Sequence, residues 1–240
     1  MAVDASPEPD GLKVALDTIV APKAAFESIR IAPTWGWAFL LAIVIGTLST
    51  YLITPALVHA YPGTFAQQVA TNPQLASETP EQQQMALAIG EKFVSFLWLG
   101  TIIGVPLVVL VSTVIMLIFD KIGHGDGSFG KYWAAACNIA IPGFAVASLL
   151  SAVIVLVRGA DSFTTEQAVQ SAIPSLALFA PSSNVKLIAF LATITPFSLW
   201  ALGLNVAAMR IIGKVPVVPA WFAALVMLAV PAILAAVGAK

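Results

Sequence analysis

Five stretches of the chain are long, apolar and almost free of charged residues, and they limit the folds that the chain can adopt. A helix of roughly 20 apolar residues crosses the ~30 Å hydrocarbon core of a bilayer with all its backbone hydrogen bonds made internally. We therefore expect an all-α polytopic membrane protein, a bundle of five transmembrane helices that forms one domain over residues 11–240. The predicted spans are residues 35–58, 93–119, 132–157, 187–209 and 217–238.

The composition agrees with this fold class and argues against several functions. Only 10% of the 240 residues are charged, against about 25% in a soluble domain, and the mean hydropathy is +0.94. The sequence has no cluster of basic residues interleaved with aromatics, so we expect no nucleic-acid partner. The single cysteine, Cys137, excludes an intrachain disulfide and a cysteine-based metal site.

The region before the first span divides into a tail and two short amphipathic helices. Residues 1–10 are acidic and contain proline, which predicts a disordered tail. Two apolar stripes follow, separated by Pro22, a residue that is tolerated in the first turn of a helix. This pattern predicts two helices that lie in the membrane interface. Their stripes are Leu12, Leu16, Ile19 and Val20 in the first helix, and Ala25, Phe26 and Ile29 in the second.

The spans and their connections carry further local signals. We expect Gly46, Thr47, Ser49 and Thr50 to form a small packing face, and Gly100 and Gly104 form a GxxxG spacing that is typical of close helix contacts. Residues 59–92 are predicted to form a polar loop. Within it, Thr79, Pro80 and Gln82 form a capping box that starts a helix running into the second span. Residues 164–178 are expected to form a surface helix broken near Pro174.

Basic residues are unevenly distributed between the two sides of the predicted bundle, which sets its orientation. Seven would lie inside and four outside if the N-terminus is inside, as the positive-inside rule favours. We therefore expect an integral protein of the bacterial inner membrane with a cytoplasmic N-terminus and an outer C-terminus. The inner residues are Lys13, Lys23, Arg30, Lys121, Lys131, Arg210 and Lys214, and the outer ones are Lys92, Arg158, Lys186 and Lys240.

The sequence offers no arrangement of residues that is typical of catalysis. The two histidines, His59 and His124, fall on opposite sides of the membrane in this topology and cannot share a metal ion. No Asp, Glu, Lys, Arg or His falls well inside a predicted span, where a proton or ion relay would need one. We expect no enzymatic activity, no cofactor and no metal site.

Three residues are the candidate polar contacts within the membrane: Asn138, Pro142 and Asn205. An amide in hydrocarbon needs a protein partner, so the first interpretation is a pair of interhelical hydrogen bonds. The second is a polar pocket beneath the inner surface. Its mouth would be formed by Asp120, Lys121 and Arg210.

Two stretches of this chain resemble the bacterial branch of the Yip1 family. They are TIVAPKAAFESIRIAPTWGWAF, which leads into the first span, and GHGDGSFGKYWAAACNIAIPGF, a glycine-rich turn followed by a span with an early proline. The resemblance implies five spans with the N-terminus inside. For eukaryotic relatives it implies roles in vesicle trafficking and membrane shaping without catalysis, and for bacterial relatives it implies no settled activity.

Two functions follow as hypotheses. In the first, the protein is a non-enzymatic membrane organiser or scaffold that acts through helix packing, anionic lipid headgroups on the inner face, and membrane-protein partners or a homo-oligomer. Its candidate headgroup contacts are Lys23, Arg30, Lys121, Lys131, Arg210 and Lys214. In the alternative, it is a small permease or lipid-translocating protein with a polar groove near Asn138 and Asn205.

Overall fold

A computed structural model describes residues 10–181 and 184–239. Most of the predicted N-terminal tail, residues 1–9, and Lys240 lie outside the described residues. The described chain forms twelve α-helices and no strand. In chain order they are α1 Gly11–Val20, α2 Pro22–Ile31, α3 Gly36–Thr71, α4 Pro73–Ala76, α5 Pro80–Ser95, α6 Leu97–Ile122, α7 Phe129–Ala140, α8 Val146–Arg158, α9 Glu166–Gln170, α10 Val185–Ala192, α11 Pro196–Ile212 and α12 Val217–Gly238.

Four helical segments are long and apolar enough to cross a membrane by length and composition. A fifth is obtained if α10 and α11, which meet at a bend of 55°, are counted as one span. The expected fold class, an all-α polytopic membrane protein, is confirmed. The four continuous segments are Gly36–Thr71, Leu97–Ile122, Phe129–Arg158 and Val217–Gly238.

The first span is much longer than predicted. Helix α3 has 36 residues, about 54 Å at 1.5 Å per residue, so it extends well beyond a ~30 Å hydrocarbon core. The prediction of a loop over residues 59–71 is therefore wrong. This extension buries Ala60 and Phe65 and packs on α5 and α9. Tertiary packing therefore holds a helix in a segment whose composition is polar.

The capping box before the second span is confirmed. The Gln82 backbone N–H donates to the Thr79 hydroxyl at 3.3 Å, and the Thr79 N–H donates to the Gln82 side chain at 2.9 Å. The expected continuous helix is interrupted, however, because α5 ends at Ser95 and Phe96 separates it from α6.

The third span contains a π-helical turn. Pro142 lies in Ile141–Ala145, between α7 and α8. Proline has no N–H to donate to the preceding turn, and the N–H of Val146 reaches back to the Ile141 carbonyl, a spacing of five residues. The proline is therefore accommodated by widening one turn, and the span continues to Arg158.

The fourth span is broken, so the prediction of one helix over residues 187–209 is wrong. A second capping box, formed by Thr195 and Ser198, starts α11 at Pro196. The Ile194 carbonyl in the break accepts a hydrogen bond from the Leu176 N–H at 3.0 Å. Backbone groups released inside a membrane need such partners. The loop that supplies this one is itself less helical than expected, since α9 has only 5 residues.

The two N-terminal helices place their apolar stripes differently. In α2, Ala25, Phe26 and Ile29 are buried, because this helix packs on α7 and α11. In α1, by contrast, Leu12 and Leu16 are exposed and the small opposite face is buried. The exposed stripe of α1 agrees with contact to lipid, whereas α2 belongs to the core.

The expected small-residue face of α3 packs against Thr101 of α6 and against Phe144 of the π-helical turn. Gly46 approaches Phe144 and Thr101, and the Thr50 and Thr101 hydroxyls are 3.2 Å apart. The GxxxG glycines of α6 behave differently, since a Cβ atom on Gly100 or Gly104 would meet no described heavy atom within 4 Å. The close contact expected there is not made within the described chain.

Candidate functional site

A buried carboxylate lies where three segments of the bundle meet. Asp120, in the last turn of α6, is 0% exposed. Its Oδ1 accepts a hydrogen bond from the Tyr132 hydroxyl at 2.6 Å and one from the Gly127 backbone N–H at 3.2 Å. Its Oδ2 lies 3.4 Å from the Lys121 ammonium. A buried carboxylate is stable only with such partners, so these contacts link α6 firmly to α7.

Three glycines make room for this pair. A Cβ atom on Gly125 would collide with the Asp120 carboxylate, one on Gly127 with the Tyr132 ring, and one on Gly213 with both side chains. The glycines therefore allow the α6–α7 and α11–α12 turns to close over the carboxylate. We call Asp120, Gly125, Gly127, Tyr132 and Gly213 the glycine-lined cluster.

The two turns are also tied together directly. The Asp126 N–H donates to the Gly213 carbonyl at 2.9 Å, and the Lys214 ammonium donates to the Asp126 carboxylate at 2.6 Å. The hydrogen bond from Lys214 is the largest effect that lowers the pKa of Asp126 from its ordinary value. The positive charges of Lys214, Arg30 and Lys131 lower it further. Four charged groups from three parts of the sequence therefore share one surface.

Three of the six predicted headgroup contacts, Lys121, Lys131 and Lys214, are sequence neighbours of members of this cluster. Lys131 is half-buried and the others are exposed. Lys121 adjoins Asp120, and Arg210 lies in the last turn of α11, just before the second turn. Lys23 pairs with Glu27 at 3.9 Å on α2. We call the whole set the basic surface: Lys23, Arg30, Lys121, Lys131, Arg210 and Lys214.

Aromatic rings lie where α3 and α7 begin, close in sequence to the basic surface. Trp133 stacks on Phe129 with ring centroids 6.0 Å apart, and lies 5.8 Å from Phe39 and 6.2 Å from Trp35. Tryptophan rings concentrate at the boundary between headgroups and hydrocarbon. This group of rings therefore indicates the depth at which this end of the bundle leaves the membrane.

Asn138 makes a structural contact. Its amide donates to the Thr34 carbonyl at 2.9 Å and to the Ala134 carbonyl at 2.8 Å. The expected bond to another part of the bundle is thus present, but its acceptor is the backbone of the linker between α2 and α3 rather than a second membrane helix. This bond holds the entry of the first span against α7.

Asn205 lies in a different place, on a cavity of about 410 Å³ between α6, α7, α11 and α12. Its side chain is 8% exposed. Asn138 is not among the described lining residues, nor are Asp120, Lys121 and Arg210. The predicted single pocket with those three residues at its mouth is therefore wrong, because Asp120 is sealed by Tyr132 and the glycines. Pro142 is buried in the π turn, and the two residues after it line the cavity.

Sequence reasoning did not identify the link between Asp120 and Tyr132. The available signal was the repeated glycine in residues 123–127, together with the isolated Gly213 beside Lys214. Glycine at a turn indicates either a positive φ or a close approach of other atoms. Here Gly125, Gly127 and Gly213 serve close approach, whereas the positive φ angles fall on His124 and Lys214.

These features define an all-helical polytopic membrane protein. The family model of the Yip1 domain matches residues 16–239. The match covers nearly the whole chain, so the protein belongs to the Yip1 domain family and the resemblance in its sequence is confirmed. No curated protein and no solved structure matches the chain.

Proposed function

We propose that this protein is a non-enzymatic membrane organiser whose basic surface binds anionic lipid headgroups on the cytoplasmic side of the bacterial inner membrane. The observation that supports this most is the contact of the Lys214 ammonium with the Asp126 carboxylate at 2.6 Å, beside which the charges of Arg30 and Lys131 also act on Asp126. Together these interactions place cations from α2, α7 and the α11–α12 turn on one surface. The open glycine face of α6 leaves space for a helix of a membrane partner or a second copy.

Rigidity is the physical advantage of this surface. A basic residue near an anionic membrane surface contributes about 1 kcal/mol of attraction. Flexible lysines lose side-chain entropy when they bind, but the backbone of Lys121, Lys131 and Lys214 directly adjoins members of the glycine-lined cluster. Basic residues on such a held backbone can bind headgroups at a defined spacing and order the lipids around the bundle.

The experiment removes three cations that have no ion pair among the described residues: Arg30→Gln, Lys131→Gln and Arg210→Gln. Lys121, which lies beside Asp120, and Lys214, which is bonded to Asp126, stay in place. The control triple variant, Lys92→Gln, Arg158→Gln and Lys186→Gln, removes the same charge from the predicted outer side. Each protein is reconstituted in equal phosphatidylglycerol and phosphatidylcholine, and the co-purified lipids are measured by mass spectrometry.

We expect the wild type and the control to retain phosphatidylglycerol preferentially. Three lost contributions of about 1 kcal/mol each amount to roughly a hundredfold weaker preference in the first variant. Equal enrichment by all three proteins would overturn the proposal.

The break between α10 and α11 favours a second candidate, a small lipid translocator, because broken helices form substrate sites in many transporters. Its test is lipid flux in proteoliposomes. The variant is Asn205→Leu alone, since the Asn138 amide already donates to the Thr34 carbonyl within the bundle. Unchanged flux in the folded variant would exclude a route past Asn205.

A further inference from the structure

Asn205 is 8% exposed, lines the cavity, and makes no side-chain hydrogen bond to a described residue. It lies seven residues before Ile212, the end of α11, which is about 10 Å along the helix axis. At that depth an amide finds little water, and leaving it without a partner is costly. In Asn138, by contrast, the amide NH2 group donates to two carbonyl acceptors.

The cavity beside Asn205 has the size and lining of a ligand site. Its volume of about 410 Å³ falls within the roughly 300–1,000 Å³ that is usual for small-molecule pockets. Its described lining is uncharged and mainly apolar. Of the three lining hydroxyls, those of Thr193 and Ser198 donate to backbone carbonyls within the chain. The Ser112 hydroxyl, in contrast, has no hydrogen bond among the described residues and offers the cavity a second polar group besides Asn205.

These observations restrict the ligand. A charged headgroup is excluded, because an ion in such a lining would have no counter-charge. A plain hydrocarbon chain would fill the space but leave the Asn205 amide unpaired. We propose that this cavity binds an uncharged, lipid-soluble molecule, whose apolar body occupies the cavity and whose single hydroxyl or carbonyl oxygen bonds to Asn205.

The proposal goes beyond the organiser function, because the residues of the basic surface do not line the cavity. A negative result for the ligand proposal would therefore not contradict the organiser function, and the reverse also holds. The Arg30, Lys131 and Arg210 triple variant should bind the ligand as the wild type does, and a variant of Asn205 should retain the preference for phosphatidylglycerol.

The test uses a pair of photoreactive probes in nanodiscs. One is hexadecanol that carries a diazirine in its chain, and the other is the matching diazirine hexadecane without oxygen. Labelled peptides are identified by mass spectrometry, with Met227 and Leu228 of α12 marking the cavity. Unlabelled hexadecanol and hexadecane serve as competitors. Stronger competition by the alcohol in the wild type would already support the proposal without any variant.

Two variants distinguish the contribution of the Asn205 hydrogen bond from that of the cavity volume. Asn205→Leu keeps the volume but loses the amide, and we expect about tenfold less labelling by the alcohol, the effect of one buried hydrogen bond. Labelling by the hydrocarbon should stay within about twofold, as a probe without oxygen cannot use that bond. Ala201→Phe fills the cavity and should remove labelling by both probes. The control Thr50→Val loses a hydroxyl bonded to Thr101 elsewhere in the bundle and should change neither.

Three results would overturn the proposal. The first is equal labelling of α12 by the two probes in the wild type. The second is competition by hexadecane as effective as that by hexadecanol. The third is undiminished labelling by the alcohol in folded Asn205→Leu protein.

Discussion

Replacing Tyr132 by Phe should destabilise the bundle through the loss of a single hydroxyl. That hydroxyl donates to the Asp120 carboxylate at 2.6 Å, and both side chains are fully buried. A hydrogen bond to a charged group contributes about 1.5–3 kcal/mol. The carboxylate would keep only the Gly127 N–H and the Lys121 ammonium as partners. We therefore expect Tyr132→Phe to lower the free energy of unfolding by about 2 kcal/mol.

The loss can be measured by reversible unfolding in mixed micelles as the fraction of sodium dodecyl sulfate increases. The matched control is Tyr51→Phe, because the Tyr51 side chain is 58% exposed and its ring packs on Trp98. A double-mutant cycle with Asp120→Asn isolates the pair. A Tyr132→Phe protein as stable as the control, or effects that simply add in the double variant, would refute the reasoning.

Two further variants test the surroundings of this pair. Gly213→Ala places a methyl group against the Tyr132 hydroxyl and the Asp120 carboxylate, so we expect a loss of about 1–3 kcal/mol in the same assay. Gly203→Ala, inside α11 where a Cβ atom meets no described atom within 4 Å, should not destabilise, because alanine favours the helix. Equal effects of the two variants would show that the crowding at Gly213 is relieved. Asp126 has a lowered pKa in the folded protein, so its carboxylate adds stability above its unfolded pKa of about 4 and that stability is lost as pH falls through the lower folded value. Asp126→Asn should therefore weaken the dependence of the unfolding midpoint between pH 7 and pH 3, and an unchanged dependence would contradict this.

Local chemistry explains what could be predicted from the sequence. The Thr79 capping box needs only residues three positions apart, and the apolar stripe of α2 follows from helical periodicity. The long apolar segments predict the spans because hydrocarbon thickness sets helix length. In each of these the deciding interactions lie within a few turns of one helix.

Elements that depend on distant partners could not be predicted in the same way. The extension of α3 to Thr71 requires α5 and α9 beside it. The break before Pro196 needs the Leu176 N–H to satisfy the Ile194 carbonyl. The pairing of Asp120 with Tyr132 depends on three glycines, one of them in the α11–α12 turn. A sequence pattern shows that glycines are present, but not which side chain approaches them.

The site residues illustrate the same limit. Asn138 and Asn205 have the same side chain and similar sequence surroundings, so both could be assigned to one groove. The structure gives the first a bond to the Thr34 carbonyl and the second an open cavity. Only the arrangement of the neighbouring helices distinguishes a structural contact from a candidate binding group.

The most direct test of the central claim is the lipid composition that co-purifies with the Arg30→Gln, Lys131→Gln, Arg210→Gln variant from equal amounts of phosphatidylglycerol and phosphatidylcholine. The account predicts that this variant loses most of the wild-type enrichment in phosphatidylglycerol, while the Lys92, Arg158 and Lys186 control variant keeps it. The same enrichment in both variants would contradict the claim that the basic surface binds anionic headgroups.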